Sequence, residues 1–433
     1  MSQKPTSVRY LVLAVTAVMA IFMYIDRVCI AQVSGDIQSD LKLTEGEMDW
    51  VKSAFFWSYA LSQVPAGVFG IRFGFRRMLA LYLFLWSFFT AISGMAGGFA
   101  ALIGARLAVG VTEAGAYPNA ASIIKGWFPV ARRGFANSAV SLGGRLGGAL
   151  GQLLTPALVV LFAGAIIWNG NAVPGWRVVL VLFGLIGILW SVVFYWVVRD
   201  RPALHPWANE AEAAMPDKVS AALPSRTPLG IFLRSRTLWA FSLMQFFINF
   251  GWAFLITQFP DYLQNVHKKT GSEKGLLSSL PGFVGCIGMF AGGFLTDWLI
   301  RKLGLQRGRI VPIILGASGC AAAFLFCATA DSAWAVVAAL CVVTLGTDLA
   351  IPAIWAIAQD IGGQRVGPVL GWANMWGNFG AACCPLILGL VQREFSWSAV
   401  FVTAAVSYGC AIALAFVIDA EKPIETTGTE GSL

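Results

Sequence analysis

Residues 8–34 read VRYLVLAVTAVMAIFMYIDRVCIAQVS. Apolar side chains fill the stretch, with Asp26 and Arg27 set side by side toward its end. One helical crossing of a bilayer needs about 20 apolar residues. The run is too long for the apolar core of a secretory signal and lacks a convincing cleavage site, so it reads as a first membrane span. Comparable runs follow at 49–70, 77–98, 101–124, 135–165, 176–198, 238–263, 276–300, 309–330, 333–357, 367–391 and 396–419. Twelve crossings take up roughly 240 residues, which fits a chain of 433 with short loops.

Composition supports the same reading. Apolar residues make up 58% of the chain and charged residues only 12%, about half the share usual in a soluble domain. That excludes an ordinary cytosolic enzyme, a nucleic-acid binder and a disordered chain. Forty-seven Gly suit close helix packing in lipid, and 17 Trp suit interface belts or a lined cavity. The net charge of +8 belongs to loops between apolar runs, so it speaks to topology rather than to nucleic acid. Eight Cys lie inside apolar stretches without metal-ligand spacing, and the chain has two His. They read as small packing residues. No metal or cofactor site is expected, and no phosphate-cradling loop or Ser-His-Asp set is present, so an enzyme is not expected.

The longest soluble stretch, 199–237, holds five of the 18 Pro and reads as a cytoplasmic linker between two six-helix bundles, 1–198 and 238–433. With both termini in the cytoplasm, twenty of the 30 Lys and Arg fall on that side, among them Lys218, Arg226 and Arg365. Seven fall on the far side and three inside spans. The bias supports this orientation. A faint repeat links Gly67-x-x-x-Ile71-Arg72-x-Gly74-x-Arg76-Arg77 with Gly293-x-x-x-Asp297 and its following Arg301 and Lys302. Each stands after the second span of its half, which suggests two related units. The expected fold is all-α and polytopic: twelve transmembrane helices in two pseudo-symmetric bundles.

Six ionisable residues fall within spans: Asp26, Arg27, Arg106, Glu113, Arg145 and Asp348. A charge at the bilayer centre costs about 2.5–3.5 kcal/mol, so these groups face water or one another. Three are positive and three negative. Protonating two carboxylates leaves such a set with a surplus of positive charge, which attracts an anion. Proton binding and anion binding are thereby coupled. Arg106 and Glu113 stand seven residues apart, about 10.5 Å along one helix face, so both can line one cavity without touching. Asp26 and Arg27 point about 100° apart. Helix-to-helix pairing is the alternative role for every one of these charges, and for Arg145, set among Gly143, Gly144, Gly147 and Gly148, and for Asp348 the two roles stand level. Tyr24, Tyr59, Tyr117, Trp355, Asn374 and Asn378 also lie on spans, as cavity candidates or as packing residues.

Four local patterns carry a family resemblance: Tyr24-Ile-Asp26-Arg27, residues 55–65 (FFWSYALSQVP), Arg106-x3-Gly110-x2-Glu113-Ala114-Gly115-x2-Pro118, and Trp127-Phe128-Pro129 followed by Arg133-Gly134. With the two halves, they resemble the major facilitator superfamily, and within it the anion:cation symporter family of hexuronate, aldonate, aldarate and phthalate transporters and vesicular glutamate and sialic acid carriers. The resemblance implies proton-coupled import of an organic anion by alternating access, expected to be a sugar acid (a hexuronate, aldonate or aldarate). It implies a protonatable pair, Asp26 and Glu113. Arg27 would meet the substrate carboxylate, Arg106 would pair with Glu113, and Tyr24, Tyr59 and Asn374 would contact the substrate's other groups, with Asn378 second to Asn374. Arg145 and Trp355 complete the candidate binding set. The superfamily's loop acid is replaced by Ile71, and the acid after Trp-Phe-Pro by Arg132. Expected partners are the small anion, protons and the lipid bilayer, with no nucleic acid, and a monomer in the cell inner membrane. A carrier of aromatic or other mono- or dicarboxylates, and a non-transporting nutrient sensor, are the alternatives.

Overall fold

A computed structural model describes residues 4–168, 171–216, 229–362, 366–422 and 424. Lys218, Arg226, Arg365 and the linker residues 217–228 lie outside the described residues. The chain divides into two compact units, Met1–Ala222 and Leu223–Leu433.

In the first unit the helices are α1 (Val8–Gln32), α2 (Ser34–Leu41), α3 (Glu45–Phe73), α4 (Phe75–Gly94), α5 (Phe99–Glu113), α6 (Ala116–Trp127), α7 (Val130–Leu161), α8 (Gly175–Val197) and α9 (Glu210–Ala213). In the second they are α10 (Leu229–Arg234), α11 (Arg236–Thr257), α12 (Phe259–Asn265), α13 (Gly271–Leu303), α14 (Leu305–Cys327), α15 (Ala333–Gly362), α16 (Val366–Glu394) and α17 (Trp397–Ala415). Among the described residues, eleven helices are long and apolar enough to cross a membrane, with α5 and α6 taken as one. The remaining expected span, α3, has the length, at 29 residues. Ser53, Trp57, Ser58, Tyr59, Ser62 and Gln63 dilute its apolar character. The expected spans at 101–124 and 238–263 are each broken into two helices. Strands Ile167–Trp168 and Asn171–Ala172 pair in a two-residue antiparallel ladder.

The same pairing pattern recurs in both units. In the first, α1 packs on α7, α3 on α5 and α4 on α8; in the second, α11 packs on α16, α13 on α15 and α14 on α17. Close approach of α1 and α7 follows from Gly143, Gly147 and Gly151, one turn apart. A Cβ on these three would run into Ala17, Ile21 and the Ile25–Val28 turn of α1. Small residues at such spacing let backbones touch where lipid supplies no hydrophobic drive.

The first part of the expected linker is folded onto the first unit. Glu212, fully buried, accepts hydrogen bonds from the Val8 and Arg9 backbone N–H groups (3.2 and 3.0 Å), and so caps the start of α1. It also pairs with the Arg9 guanidinium at 3.1 Å. Asp200 accepts from the Arg76 N–H at 2.7 Å at the start of α4. His205 donates from Nε2 to the Val197 carbonyl at 2.9 Å, and its Nδ1 accepts from the Trp207 N–H at 3.1 Å. Burial holds its imidazole below the ordinary histidine range.

Candidate functional site

The charged site of the first unit is built where α5 stops. Pro118 has no N–H to give to Ala114, and its ring crowds that carbonyl, which weakens the helix at this point. α5 ends at Glu113 and α6 begins at Ala116. On the facing helix α3, Gly110 of α5 meets Ser58 and the Phe55 carbonyl so closely that a Cβ there would clash. That approach sets Phe55 and Tyr59 beside Glu113.

Arg27 of α1 reaches across to this corner. Its Nε donates to Glu113 Oε1 at 2.9 Å, and its Nη2 donates to the same oxygen. Both side chains are buried, Glu113 completely. Three aromatic rings surround the guanidinium, with centroids at 4.6 Å for Tyr24, 4.9 Å for Tyr59 and 5.0 Å for Phe55. Such rings attract a cation through their quadrupoles. Nη1 makes no hydrogen bond to a described residue. Arg106 also lies against Phe55, 5.1 Å from its centroid, with its Nε buried and unpartnered. The expected pairing of Arg106 with Glu113 is therefore made by Arg27 instead. Glu113 Oε2 is buried without a partner.

Asp26 turns away from this corner, as the 100° offset between neighbouring helix residues requires. It is 1% exposed, its Oδ2 has no hydrogen-bond partner, and it faces α4 and α8 near Ser87 and Gly187. Asp26, Arg27, Arg106 and Glu113 thus form one enclosed set of two acids and two bases.

Other candidates are placed separately. Tyr24 and Tyr117 meet beside Gly144, where a Cβ would strike the Tyr24 ring and the Tyr117 hydroxyl. Arg145 is half-buried on α7. In the second unit, Asn374 is exposed on α16, and Asn378 donates its amide to the Asn374 carbonyl at 2.8 Å. Trp355 is 51% exposed on α15. Asp348 is buried against α13 at Gly285.

Sequence reading left out several polar neighbours. Asn249 of α11 packs at Gly377 of α16, close to Asn374 and Asn378 in sequence, and donates to the Gln245 carbonyl at 2.8 Å. Gln63, one turn beyond Tyr59 on α3, is buried. Their signal was an amide on a membrane helix, the same that singled out Asn374.

The sequence and the fold have known relatives. Residues 16–382 match the family model described as Major Facilitator Superfamily. The chain is 31% identical to the probable galactarate/D-glucarate transporter of Bacillus subtilis (strain 168), over 93% of this chain and 90% of that protein. It is 28% identical to the D-galactonate transporter of Escherichia coli O6:H1, over 94% and 96%, and 27% identical to the probable sulfoacetate transporter of Cupriavidus necator, over 97% of each. The fold resembles the crystal structure of a bacterial homolog to the human lysosomal transporter Spinster in its occupied form. That similarity has a TM-score of 0.74 at 22% identity, covering 95% of this chain and 97% of that one. The protein belongs to the Major Facilitator Superfamily, and it is a multi-pass membrane transporter rather than an enzyme.

Proposed function

We propose that this protein imports a sugar acid together with protons, as a monomer in the cell inner membrane with both termini in the cytoplasm. The observation that carries the reading is the Arg27–Glu113 pair inside its aromatic cage. Arg27 has one strong anionic partner at a time. While Glu113 is ionised, it competes with any substrate carboxylate for the guanidinium. Once Glu113 takes a proton, that competition ends. A unit charge pair at 4 Å is worth about 4 kcal/mol at an effective dielectric of 20. A proton on Glu113 therefore shifts Arg27 toward an incoming anion by a large factor.

A carboxylate offers Arg27 the two-oxygen geometry that suits a guanidinium. The phenols of Tyr24 and Tyr59 stand ready for the hydroxyls of a polyol chain. Protonation of Asp26 and Glu113 together leaves the set at two positive charges, and their release toward the cytoplasm returns it to neutrality and expels the anion. Transport proceeds by alternating access, as in other carriers built from internal repeats. The similar galactarate/D-glucarate and D-galactonate transporters support sugar acids as the substrate class.

The test is uptake of D-glucarate into proteoliposomes. An inward pH gradient should drive accumulation above equilibrium in the intact protein. Accumulation that ignores the gradient removes proton coupling. A sugar acid displaced by cinnamate but not by galactonate would reassign the substrate to an aromatic acid.

A further inference from the structure

Three buried polar atoms without partners come together behind the Arg27–Glu113 corner. They are Asp26 Oδ2 on α1, and Trp86 Nε1 and Ser87 Oγ on α4. All three residues are at most 1% exposed. Both donors are directed at the Asp26 carboxyl, at a separation longer than a full hydrogen bond.

Leaving such groups unpaired is costly, so their grouping calls for a cause. Ser87 is the more telling. Helical hydroxyls buried in lipid ordinarily donate to a carbonyl one turn back. On the same helix, Thr90 does so to Trp86 at 3.0 Å and Ser93 to Phe89 at 2.9 Å. Ser87 does not. Gly187 of α8 makes the room for it: a Cβ there would strike the Ser87 hydroxyl and stand 3.9 Å from Asp26 Oδ2. The pocket thus holds one acceptor, two idle donors and space for small movement.

We propose that Trp86 and Ser87 are positioning residues that receive the Asp26 carboxylate when it has given up its proton. A protonated, neutral carboxyl needs neither donor. On loss of the proton to solvent, the anion accepts hydrogen bonds from Trp86 Nε1 and Ser87 Oγ. These two donors make the ionised state affordable in a membrane interior and set the pH at which Asp26 releases its proton. The inference rests on the proposed role of Asp26 in proton coupling.

The surrounding charges are few. α1 supplies Arg27 and the Cys29 thiol, α5 supplies Arg106 and Glu113, and α7 carries Arg145. α4 over 79–94 and α8 over 178–197 carry no Asp, Glu, Lys, Arg or His. Donors from α4 are consequently neutral and act by hydrogen bonding alone.

The experiment is the pH profile of D-glucarate uptake by the full chain in proteoliposomes, compared among wild type, Ser87→Ala, Trp86→Phe and Asp26→Asn. Each donor deletion should move the alkaline limb of the profile upward by about one pH unit, a tenfold change in proton affinity. In an Asp26→Asn background the same deletions should move nothing further. Ser87→Ala removes a single buried oxygen, so a folded variant is available even where Trp86→Phe fails to assemble. If Asp26→Asn abolishes the alkaline limb while Ser87→Ala leaves it in place, this inference is overturned and the coupling role of Asp26 stands. If Asp26→Asn matches wild type at every pH, the coupling role itself is overturned and this inference with it.

Discussion

Arg27 on α1 and Glu113 on α5 hold each other across 86 residues of sequence, with Arg27 Nε donating to Glu113 Oε1 at 2.9 Å. The carboxylate that engages Arg27 sits at the last residue of α5, at the break that Pro118 favours. A proton on that carboxylate and an anion on that guanidinium are therefore two answers to one local question of charge.

Glu113→Gln fixes this site in the neutral state. The variant should lose accumulation of D-glucarate against its gradient while keeping exchange across liposomes loaded with the same anion. Retained uphill uptake would remove Glu113 from the coupling step.

Arg27→Ala leaves Glu113 buried beside unpaired space. Breaking a buried pair by deleting one partner typically costs about 3–5 kcal/mol. The double variant Arg27→Ala with Glu113→Ala should be more stable than Arg27→Ala alone. Thermal unfolding in detergent reads this directly, and equal melting temperatures for the two would mean that the pair does not balance charge.

Glu212→Ala should loosen the start of α1. It deletes the cap on the Val8 and Arg9 N–H groups and strands the buried Arg9 guanidinium. Loss of a cap alone costs about 1 kcal/mol, and the stranded charge adds to it. The expected outcome is a lower melting temperature together with faster proteolysis near the N-terminus, both absent in an exposed control such as Lys422→Ala.

His205 makes a pH-dependent contribution. Its folded imidazole is held below the ordinary value of 6.5, so on acidification the unfolded chain takes up a proton before the folded chain does. Stability present above pH 6.5 should then fall as pH drops below it. His205→Phe should show a flatter dependence of melting temperature on pH in that range. An unchanged slope would mean that His205 does not titrate with folding.

Much of this architecture was legible in the sequence, because a bilayer imposes a length on every crossing. The breaks were less so. Pro118 and Pro260 sit inside long apolar runs, and length alone merges the helices on either side. Membrane acids and bases were visible as costly residues, and Asp26, Arg27, Arg106 and Glu113 do gather in one unit. Which base meets which acid was not visible. Seven residues separate Arg106 from Glu113 on their own strand of sequence, yet the partner comes from another helix, whose rotation is set by the contact of Gly143, Gly147 and Gly151 with α1. Trp86 and Ser87 stand in an ordinary apolar run, and only Asp26 arriving from α1 gives them meaning. The docking of Glu212 was hidden for the opposite reason: a polar stretch rich in proline reads as linker until its carboxylate is seen on a helix end.

The central claim is that anion binding and proton binding occur together at this site. It is tested most directly by adding D-glucarate to purified protein in lightly buffered detergent solution and following pH across the range from 6 to 9. Wild-type protein should take protons from the medium as it binds, and Glu113→Gln should take up fewer. Saturable D-glucarate binding with no proton uptake by wild type anywhere in that range would contradict the account.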